Sequence, residues 1–412
     1  MSAPHPRLED YEAVVGPAAI QELRVLARHL EGRSVLMVNS TAVGGGVAEL
    51  LNRLIPLLED LGIPTRWEVI RGGEEFFGVT KAIHNALHGT RVEITTPMLD
   101  LFREVNLENA RALDLTADLV VIHDPQPLPL IAARSDGTGH WVWRCHVDVS
   151  RPQSDVWAFL RQYVVSYDAS VFSAPEFAQV LPITQYMIHP AIDPLAEKNR
   201  EMSPAEIEAV LTRLGIRDDR PMITQVSRFD RLKDPVGVLQ AYRLARRTVD
   251  CQLVLAGGGA TDDPEGAAVL EQVRRAADGD PRIHILELPP FSDREINALQ
   301  RASAVVIQKS LREGFGLTVT EALWKKRPVI ASAVGGIPLQ VVHNLTGLLV
   351  HSVEGTAHRI RSLLRDPEFA RRLGENGHEY VKARFLTTSN LRRWLALALS
   401  LMHPGDRIIR LT

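Results

Sequence analysis

Two glutamates stand eight residues apart in Leu311–Glu321 (LREGFGLTVTE), the segment with the clearest chemical pattern. Glu313 lies in a glycine-containing turn after the apolar run AVVIQ, and Glu321 lies in a helix predicted to begin near residue 317. Amides at such a helix start attract an anion, and an acidic residue can accept hydrogen bonds from ribose hydroxyls. The predicted anion site consists of the backbone amides of Gly316, Leu317 and Thr318. Spacing alone is equally compatible with a surface glutamate and a dipole-stabilised charge.

A basic pair stands in a second segment, Ser227–Asp234 (SRFDRLKD), which follows a predicted strand. Arg228 and Lys233 are five residues apart, at the edge of an open α/β sheet where ligands bind. The forked donors of arginine and the point charge of lysine suit a diphosphate. Taken alone, the pair is more simply interpreted as part of a solvated loop.

A glycine-rich segment, Ala42–Glu49 (AVGGGVAE), follows the first predicted strand and opens a helix. Glycines let the backbone approach a ligand closely, and a helix start favours an anion. The segment is neither a G-x-G-x-x-G fingerprint nor a Walker loop. A flexible turn between a strand and a helix is therefore an equally good interpretation.

Two histidines come at or just after the ends of predicted strands. His146 lies in WRCHVDVS, and His123 with Asp124 ends another strand in the same way. A lone histidine in such a position is more often structural than catalytic. Arg144 and Asp148 could also form a satisfied polar network beside His146. Position alone therefore assigns no role to either histidine.

Short apolar runs alternate with helical patterns and would place these residues at sheet edges. The predicted strands are Ser34–Asn39, Leu119–His123, Trp141–Cys145, Val171–Ser173, Met222–Val226, Gln252–Ala256, Ile283–Leu286, Ala304–Gln308 and Val329–Ala331. Apolar strands alternating with helices predict an α/β protein with doubly wound parallel sheets. The alternation breaks across residues 190–221, so we expect domains 1–195 and 196–385. Apolar spacing over Thr388–Met402 predicts a final amphipathic helix.

The composition suits a globular protein of two domains: the chain has 412 residues, 45% hydrophobic and 24% charged. A net charge of −3 does not suit a protein that grips nucleic acid. Cys145 and Cys251 have neither metal-ligand spacing nor a disulfide framework, which favours a reducing compartment. The first residues lack a signal-peptide pattern, and no run approaches the roughly 20 apolar residues of a membrane span. We therefore expect a cytoplasmic protein with neither a nucleic-acid nor a membrane partner.

The order of these motifs resembles the family 4 retaining glycosyltransferases, and so does the segment Ala331–Val350 (ASAVGGIPLQVVHNLTGLLV). The resemblance implies the GT-B fold, in which two Rossmann-like doubly wound parallel-sheet domains face a cleft. Further segments are similar to the trehalose glycosyltransferring synthases: VNSTAVGGGVAELL, HDPQPLPL, WRCHVDVS, HPAIDPLAEKN and SRFDRLKD. Such enzymes join the glucosyl group of a nucleotide-glucose to free glucose and so form α,α-trehalose, reversibly.

The resemblance implies a role for each matching residue. Glu313 would contact the donor glucose and Glu321 the ribose, whereas Arg228 and Lys233 would bind the donor diphosphate. His146 would lie beside the reacting sugar. The remaining candidates are Gly45 and Gly46 in a glycine loop over the phosphates, Leu288 near the base, and Asp124, Gln126 and Asp148 on the acceptor side.

The resemblance also implies same-face attack, in which the leaving phosphate oxygen takes the acceptor's proton. We expect no required metal, although Mg²⁺ could stimulate weakly through the diphosphate. The resemblance further implies a homodimer and a last helix, within residues 386–412, that packs back on the first domain. The base of the donor, as ADP-, UDP- or GDP-glucose, stays open.

Three other functions stay open as alternatives. One is a retaining α-glycosyltransferase of the same fold with a different sugar or sugar-phosphate acceptor. Another is a non-catalytic protein that binds nucleotide-sugars. A dinucleotide-dependent oxidoreductase is disfavoured because the chain lacks G-x-G-x-x-G after its first strand.

Overall fold

The computed structural model describes residues 6–42, 46–135, 139–217, 219–258 and 264–405. The chain divides into two compact units, one of Met1–Pro190 with Thr387–Thr412 and one of Ala191–Leu386. The first division therefore falls between residues 190 and 191, whereas we expected a boundary near residue 195.

A parallel six-stranded sheet forms the centre of the first unit, in the order β2-β1-β3-β4-β5-β6. Its strands are β1 Val35–Asn39, β2 Thr65–Val69, β3 Leu119–His123, β4 His140–Arg144, β5 Ala169–Phe172 and β6 Thr184–Met187. The apolar strands β1, β3 and β5 are buried along their whole length. The order reverses between β1 and β3, which makes this pair the switch point of the sheet.

Helices connect the strands of the first unit. They are α1 Glu12–Val15, α2 Pro17–Arg28, α3 Gly46–Asp60, α4 Glu74–Leu87, α5 Thr96–Ala112 and α6 Ser154–Val164. Short 3₁₀ helices occupy Leu8–Tyr11, Leu128–Ala133 and Pro175–Phe177. In α2, Pro17 occupies the first turn, where its missing N–H costs no hydrogen bond. Ile20, Leu23 and Leu26 then bury one face of this helix.

The second unit has its own parallel six-stranded sheet, in the order β12-β11-β10-β7-β8-β9. Its strands are β7 Met222–Val226, β8 Gln252–Gly257, β9 Ile283–Glu287, β10 Val305–Gln308, β11 Val329–Ser332 and β12 Leu348–Val350. The strands β8 and β9 lie on one side of β7, and β10 lies on the other. The switch point of this sheet therefore lies between β7 and β10.

Helices also connect the strands of the second unit. They are α7 Pro204–Arg213, α8 Pro235–Arg246, α9 Pro264–Ala277, α10 Asp293–Ala302, α11 Leu317–Trp324, α12 Ile337–Gln340, α13 Val353–Arg365 and α14 Pro367–Arg384. A short 3₁₀ helix at Arg231–Lys233 precedes α8. The core includes Ile223 and Leu253 from the sheet with Val238, Tyr242 and Ile360 from α8 and α13.

The last helix, α15 (Thr387–Met402), belongs to the first unit and packs on α2 and α3. Leu391, Trp394, Leu395 and Ala398 are buried, which confirms the predicted amphipathic helix. Asn390 Nδ2 donates to the His189 carbonyl oxygen at 2.7 Å within the same unit. The remainder of the predicted segment, residues 406–412, lies outside the described residues.

Every predicted strand is present, with ends within one or two residues of those expected. The strands β2, β6 and β12 were not predicted. β2 and β6 are edge strands with exposed or half-buried positions, so they lack a continuous apolar run. Cys145 and Cys251 are buried free thiols. Among the described residues, none of the helices combines the length and apolar character needed to cross a bilayer.

Candidate active site

Lys233 and Glu313 meet at the switch point of the second sheet. Lys233 follows β7 and Glu313 follows β10, and these strands are neighbours. Lys233 Nζ lies 2.7 Å from Glu313 Oε2, and the two side chains are 19% and 9% exposed. An ion pair at this distance is a charge-assisted hydrogen bond. Two residues that are eighty positions apart in sequence thus form an ion pair at the sheet edge where ligands bind.

One oxygen of the Glu313 carboxylate receives three donors. Besides Lys233, Ser310 Oγ donates to Oε2 at 3.0 Å and Gln308 Nε2 at 3.3 Å. Oε1 receives no hydrogen bond from the part of the chain that the structure describes. The contacts therefore hold the carboxylate in place through one oxygen and leave the other for a ligand's hydroxyl group.

Glycines shape the backbone around Glu313. Gly335 has a φ of +53°, and a Cβ atom there would lie 1.6 Å from the Glu313 carbonyl oxygen. Gly316 has a φ of +84°, and a Cβ atom there would lie 3.2 Å from Glu313 Cγ. Only glycine combines this left-handed backbone with so close an approach. Side chains at either position would displace the carboxylate.

The start of α11 lies directly after the Glu313 turn. Gly316 caps the helix in the left-handed conformation, and the helix begins at Leu317, where we expected it. Thr318 Oγ1 donates to Gln308 Oε1 at 3.2 Å, which connects the helix start to the residue that holds Glu313. The first amides of a helix have no partner within it, so this turn offers donors to an anion.

Glu321 lies on α11 and is 3% exposed. Its Oε1 is 3.8 Å from Lys198 Nζ, whereas its Oε2 is buried without a hydrogen-bond partner among the described residues. A buried carboxylate oxygen without a donor is energetically costly. Glu321 therefore presents an acceptor that a ligand's hydroxyl groups would satisfy.

Arg228 and Leu288 are placed differently from these two glutamates. The Arg228 side chain is 63% exposed, and its Nη2 lies 3.2 Å from Asp230 Oδ2. It makes no hydrogen bond or ion pair with Lys233 or Glu313 within the described residues. Leu288 follows β9 with a buried side chain, and its amide donates to the Gly257 carbonyl at 2.8 Å. Any contact of Leu288 with a base would thus come from its backbone carbonyl.

A second cluster of polar side chains lies in the first unit, where the neighbouring strands β3 and β4 end. His123 Nδ1 lies 3.0 Å from His146 Nε2, and the planes of the two rings are 18° apart. Asp124 has a φ of 66° and accepts the His146 amide on Oδ1 at 2.8 Å. Sheet order therefore brings His146 to His123 and Asp124, which the sequence placed in a separate motif.

Burial sets the charge of this cluster. Burial and the nearby Arg144 guanidinium lower the pKa of His123 to about 3, and they hold the pKa of His146 well below its usual value. Burial raises the pKa of Asp124 to about 6 despite its hydrogen bond from His146. Arg144 Nη2 donates to Ser173 Oγ at 3.0 Å. Both imidazoles are therefore neutral at neutral pH.

The other candidate residues of the first unit differ in their hydrogen bonds and in their position in the fold. Asp148 Oδ1 accepts from the Ser150 amide and hydroxyl at 2.9 and 2.6 Å, a local turn that gives this residue a structural role. Gln126 Oε1 is buried without a partner in the described chain. Gly46 is the first residue of α3, and Gly45 lies outside the described residues.

The sequence did not identify the residues that hold these groups in place, namely Gln308, Ser310, Gly335 and Lys198. Gln308 is a polar residue at the end of an apolar strand, which was an available signal. No spacing pattern connects Lys198 with Glu321, because only the tertiary fold joins them. Among the described residues, no three His, Cys, Asp or Glu side chains form a group that could hold a metal ion.

Comparison with protein families divides the chain in a similar way. The family model described as Trehalose synthase, N-terminal domain, matches residues 37–179. The family model described as Glycosyl transferases group 1 matches residues 207–380. His123, Asp124 and His146 lie inside the first matched range, and Lys233, Glu313 and Glu321 lie inside the second.

Similar proteins of known name cover nearly the whole chain. A trehalose synthase of Thermococcus litoralis is 45% identical over 95% of this chain and 96% of its own length. A trehalose synthase of Pyrococcus furiosus matches with the same identity and coverage. Among solved structures, the α,α-trehalose-phosphate synthase (UDP-forming) of Burkholderia xenovorans, in complex with glucose-6-phosphate, has a TM-score of 0.72. It is 15% identical and covers 90% of this chain and 100% of that one, which shows a shared GT-B fold.

Proposed function

The chain belongs to the trehalose synthase family of GT-B glycosyltransferases, and we propose that it transfers glucose from a nucleotide-glucose to free glucose. The product of this reaction is α,α-trehalose, formed with retention at the anomeric carbon of the donor. The contact between Lys233 and Glu313 at the switch point of the second sheet carries this proposal. It joins a phosphate-binding cation to a carboxylate suited to sugar hydroxyls.

The second unit supplies the donor site in this proposal. Breaking the bond between the anomeric carbon and phosphate leaves negative charge on the diphosphate, and fixed donors stabilise that charge. Lys233 and the first amides of α11 are such donors, and the exposed Arg228 can turn towards the phosphates. Glu321 accepts the ribose hydroxyls on its unpartnered oxygen.

Glu313 binds the sugar of the donor. Its Oε2 is held by three donors from the protein, so Oε1 accepts hydroxyl groups of the glucosyl ring. A carboxylate that is already positioned loses little freedom when the transition state forms. This arrangement supports a role for Glu313 in orienting the ring rather than in attacking it.

We propose that retention arises from same-face attack, with the leaving phosphate oxygen taking the acceptor's proton. The alternative, a double displacement, requires a carboxylate nucleophile beneath the sugar. His146 is neutral, so its imidazole can accept a hydrogen bond from a sugar hydroxyl. No metal is required in this proposal, and Mg²⁺ acts only weakly through the diphosphate.

The test is a product assay with the purified full chain. It is mixed with glucose and, separately, ADP-, UDP- and GDP-glucose, with and without a chelator. We expect a non-reducing disaccharide that trehalase cleaves, formed in the presence of chelator. Donor hydrolysis without disaccharide would reject glucose as the acceptor, and a screen that includes glucose-6-phosphate would follow. If the protein neither binds a donor nor forms a product, the proposal is overturned.

The Glu313→Ala variant is the matched control for that assay. We expect it to fold and to lose activity by orders of magnitude, since it lacks the only carboxylate placed against Lys233 in the described residues. Near-normal turnover in this variant would contradict the role proposed for Glu313.

A further inference from the structure

Three side chains form a line across neighbouring strands of the first sheet. Met37 lies on β1, His123 ends β3, and His146 follows β4. His123 Nε2 lies 3.4 Å from Met37 Sδ, and His123 Nδ1 lies 3.0 Å from His146 Nε2. Met37 and His123 are 1% and 0% exposed, so neither can exchange its partner for water.

The thioether end of this line sets the direction of its hydrogen bonds. A thioether sulfur accepts and never donates, and a neutral imidazole has one donor and one acceptor nitrogen. A proton on His123 Nε2 therefore points at the Met37 sulfur. His123 Nδ1 is then the acceptor, and His146 Nε2 must carry the proton that it receives. The opposite tautomers would set a nitrogen lone pair against the sulfur.

We propose that Met37 and His123 are positioning residues that hold His146 in the tautomer with its proton on Nε2. His146 Nδ1 is left as a lone pair that accepts a hydrogen bond from a hydroxyl group. The ligand this atom recognises is an uncharged sugar hydroxyl, because a phosphate or carbonyl oxygen would place lone pair against lone pair.

The surroundings of the pair support this assignment. Burial and Arg144 lower the pKa of both imidazoles, so neither ring takes up a second proton at neutral pH. His146 Nδ1 makes no hydrogen bond to the residues that the structure describes, and His146 is only partly buried. The identity of the sugar rests on the proposed function, whereas the tautomer does not.

The first experiment determines the tautomer in the ligand-free full chain. Long-range ¹H–¹⁵N correlation spectra of ¹⁵N-histidine-labelled protein show which ring nitrogens carry protons, and a His146→Asn variant assigns the His146 signals. We expect protonated Nε2 and unprotonated Nδ1 on both His123 and His146. A proton on Nδ1 of His146, or a charged ring at neutral pH, would overturn the proposal. A failed product assay would leave this result unaffected.

The second experiment removes the thioether end of the line. Met37→Leu keeps the apolar volume but deletes the acceptor sulfur, and we expect His146 to become a mixture of tautomers. Met222→Leu, at another buried strand methionine, is the control and should leave the spectrum of His146 unchanged. A single His146 tautomer in Met37→Leu, identical to that of the wild type, would remove the thioether from the mechanism.

The third experiment tests the kinetic consequence. His123→Leu removes the acceptor for His146 Nε2, and we expect kcat to fall by about tenfold, the effect of one hydrogen bond. His123→Asn places an oxygen near the former Nδ1 and should restore most of kcat. Equal rates in both variants would contradict a positioning role. Should His123→Leu not fold, the spectra of wild type and Met37→Leu decide the question.

Discussion

Replacing Glu313 with glutamine changes the charge at the switch point and almost nothing in shape. The carboxylate Oε2 accepts from Lys233, Ser310 and Gln308 at 2.7, 3.0 and 3.3 Å. In the Glu313→Gln variant the amide oxygen would keep these contacts. Its NH₂ group would then occupy the place of Oε1, where an acceptor for sugar hydroxyls becomes a donor.

The magnitude of the effect on stability follows from the burial of the pair. Breaking a fully buried ion pair by truncation costs about 3–5 kcal/mol, because it leaves an uncompensated charge. Here Lys233 is 19% exposed and keeps a neutral oxygen partner. A charge-assisted bond becomes an ordinary one, so we expect a loss of about 1–2 kcal/mol in the free energy of unfolding. For turnover, losing one positioned polar group costs on the order of 10²–10³ in kcat.

The assay is a double-mutant cycle with Lys233→Met, read by chemical denaturation and by initial rates of disaccharide formation. Because the two side chains contact each other, the stability losses should not add. The double variant should be destabilised by at least about 1 kcal/mol less than the sum of the single variants. Additive losses would show that the 2.7 Å contact contributes nothing to stability. A kcat for Glu313→Gln within about threefold of wild type would refute its role in orienting the sugar.

Three further variants test Gly335 next to Glu313, Asp124 in the first unit and the exposed Arg228. Gly335→Ala should lower the free energy of unfolding by about 2 kcal/mol or more, and activity with it, because the φ of +53° is strained and the new Cβ would displace Glu313. Asp124→Asn should gain stability relative to wild type by about 1–3 kcal/mol as the pH rises from 4 to 7 in denaturation curves. The pKa of Asp124 is about 6 in the folded wild type and 3.8 in the unfolded chain, so the folded state holds this proton more tightly. The stability that this proton gives the wild type is therefore lost as the pH rises through about 6. Arg228→Ala should change the free energy of unfolding by less than about 0.5 kcal/mol but lower kcat/KM for the donor.

Matched variants serve as controls for these experiments. Gly215 has a φ of +71°, and a Cβ atom there would have no neighbouring atom within 4 Å, so Gly215→Ala should cost only about 1 kcal/mol. Equal losses in the two glycine variants would contradict the close approach to Glu313. Arg231 is an exposed arginine three residues after Arg228, and Arg231→Ala should leave donor kinetics unchanged. If the free energy of unfolding changed with pH in the same way in the wild type and in the Asp124→Asn variant, Asp124 would not titrate as described.

The local elements could be predicted because their causes are local. An apolar run such as Leu119–His123 is typical of a strand buried on both faces, and the structure has a strand over the same residues. The edge strand Thr65–Val69 escaped prediction because exposure on one side lets polar residues enter the run. The start of α11 was also predictable, since glycine is one of the residues that cap the start of a helix.

The sequence by itself determined the residue types at the strand ends and the order in which they occur. It could not determine which strand ends are neighbours, because hydrogen bonding between parallel strands joins residues that are far apart in the chain. Sheet order alone brings Lys233 to Glu313 and His123 to His146. Burial, which lowers the pKa of His123 and raises that of Asp124, is likewise a property of the packed molecule. The sequence therefore determined which functional groups are present, and the tertiary structure determined which of them are in contact and how they are charged.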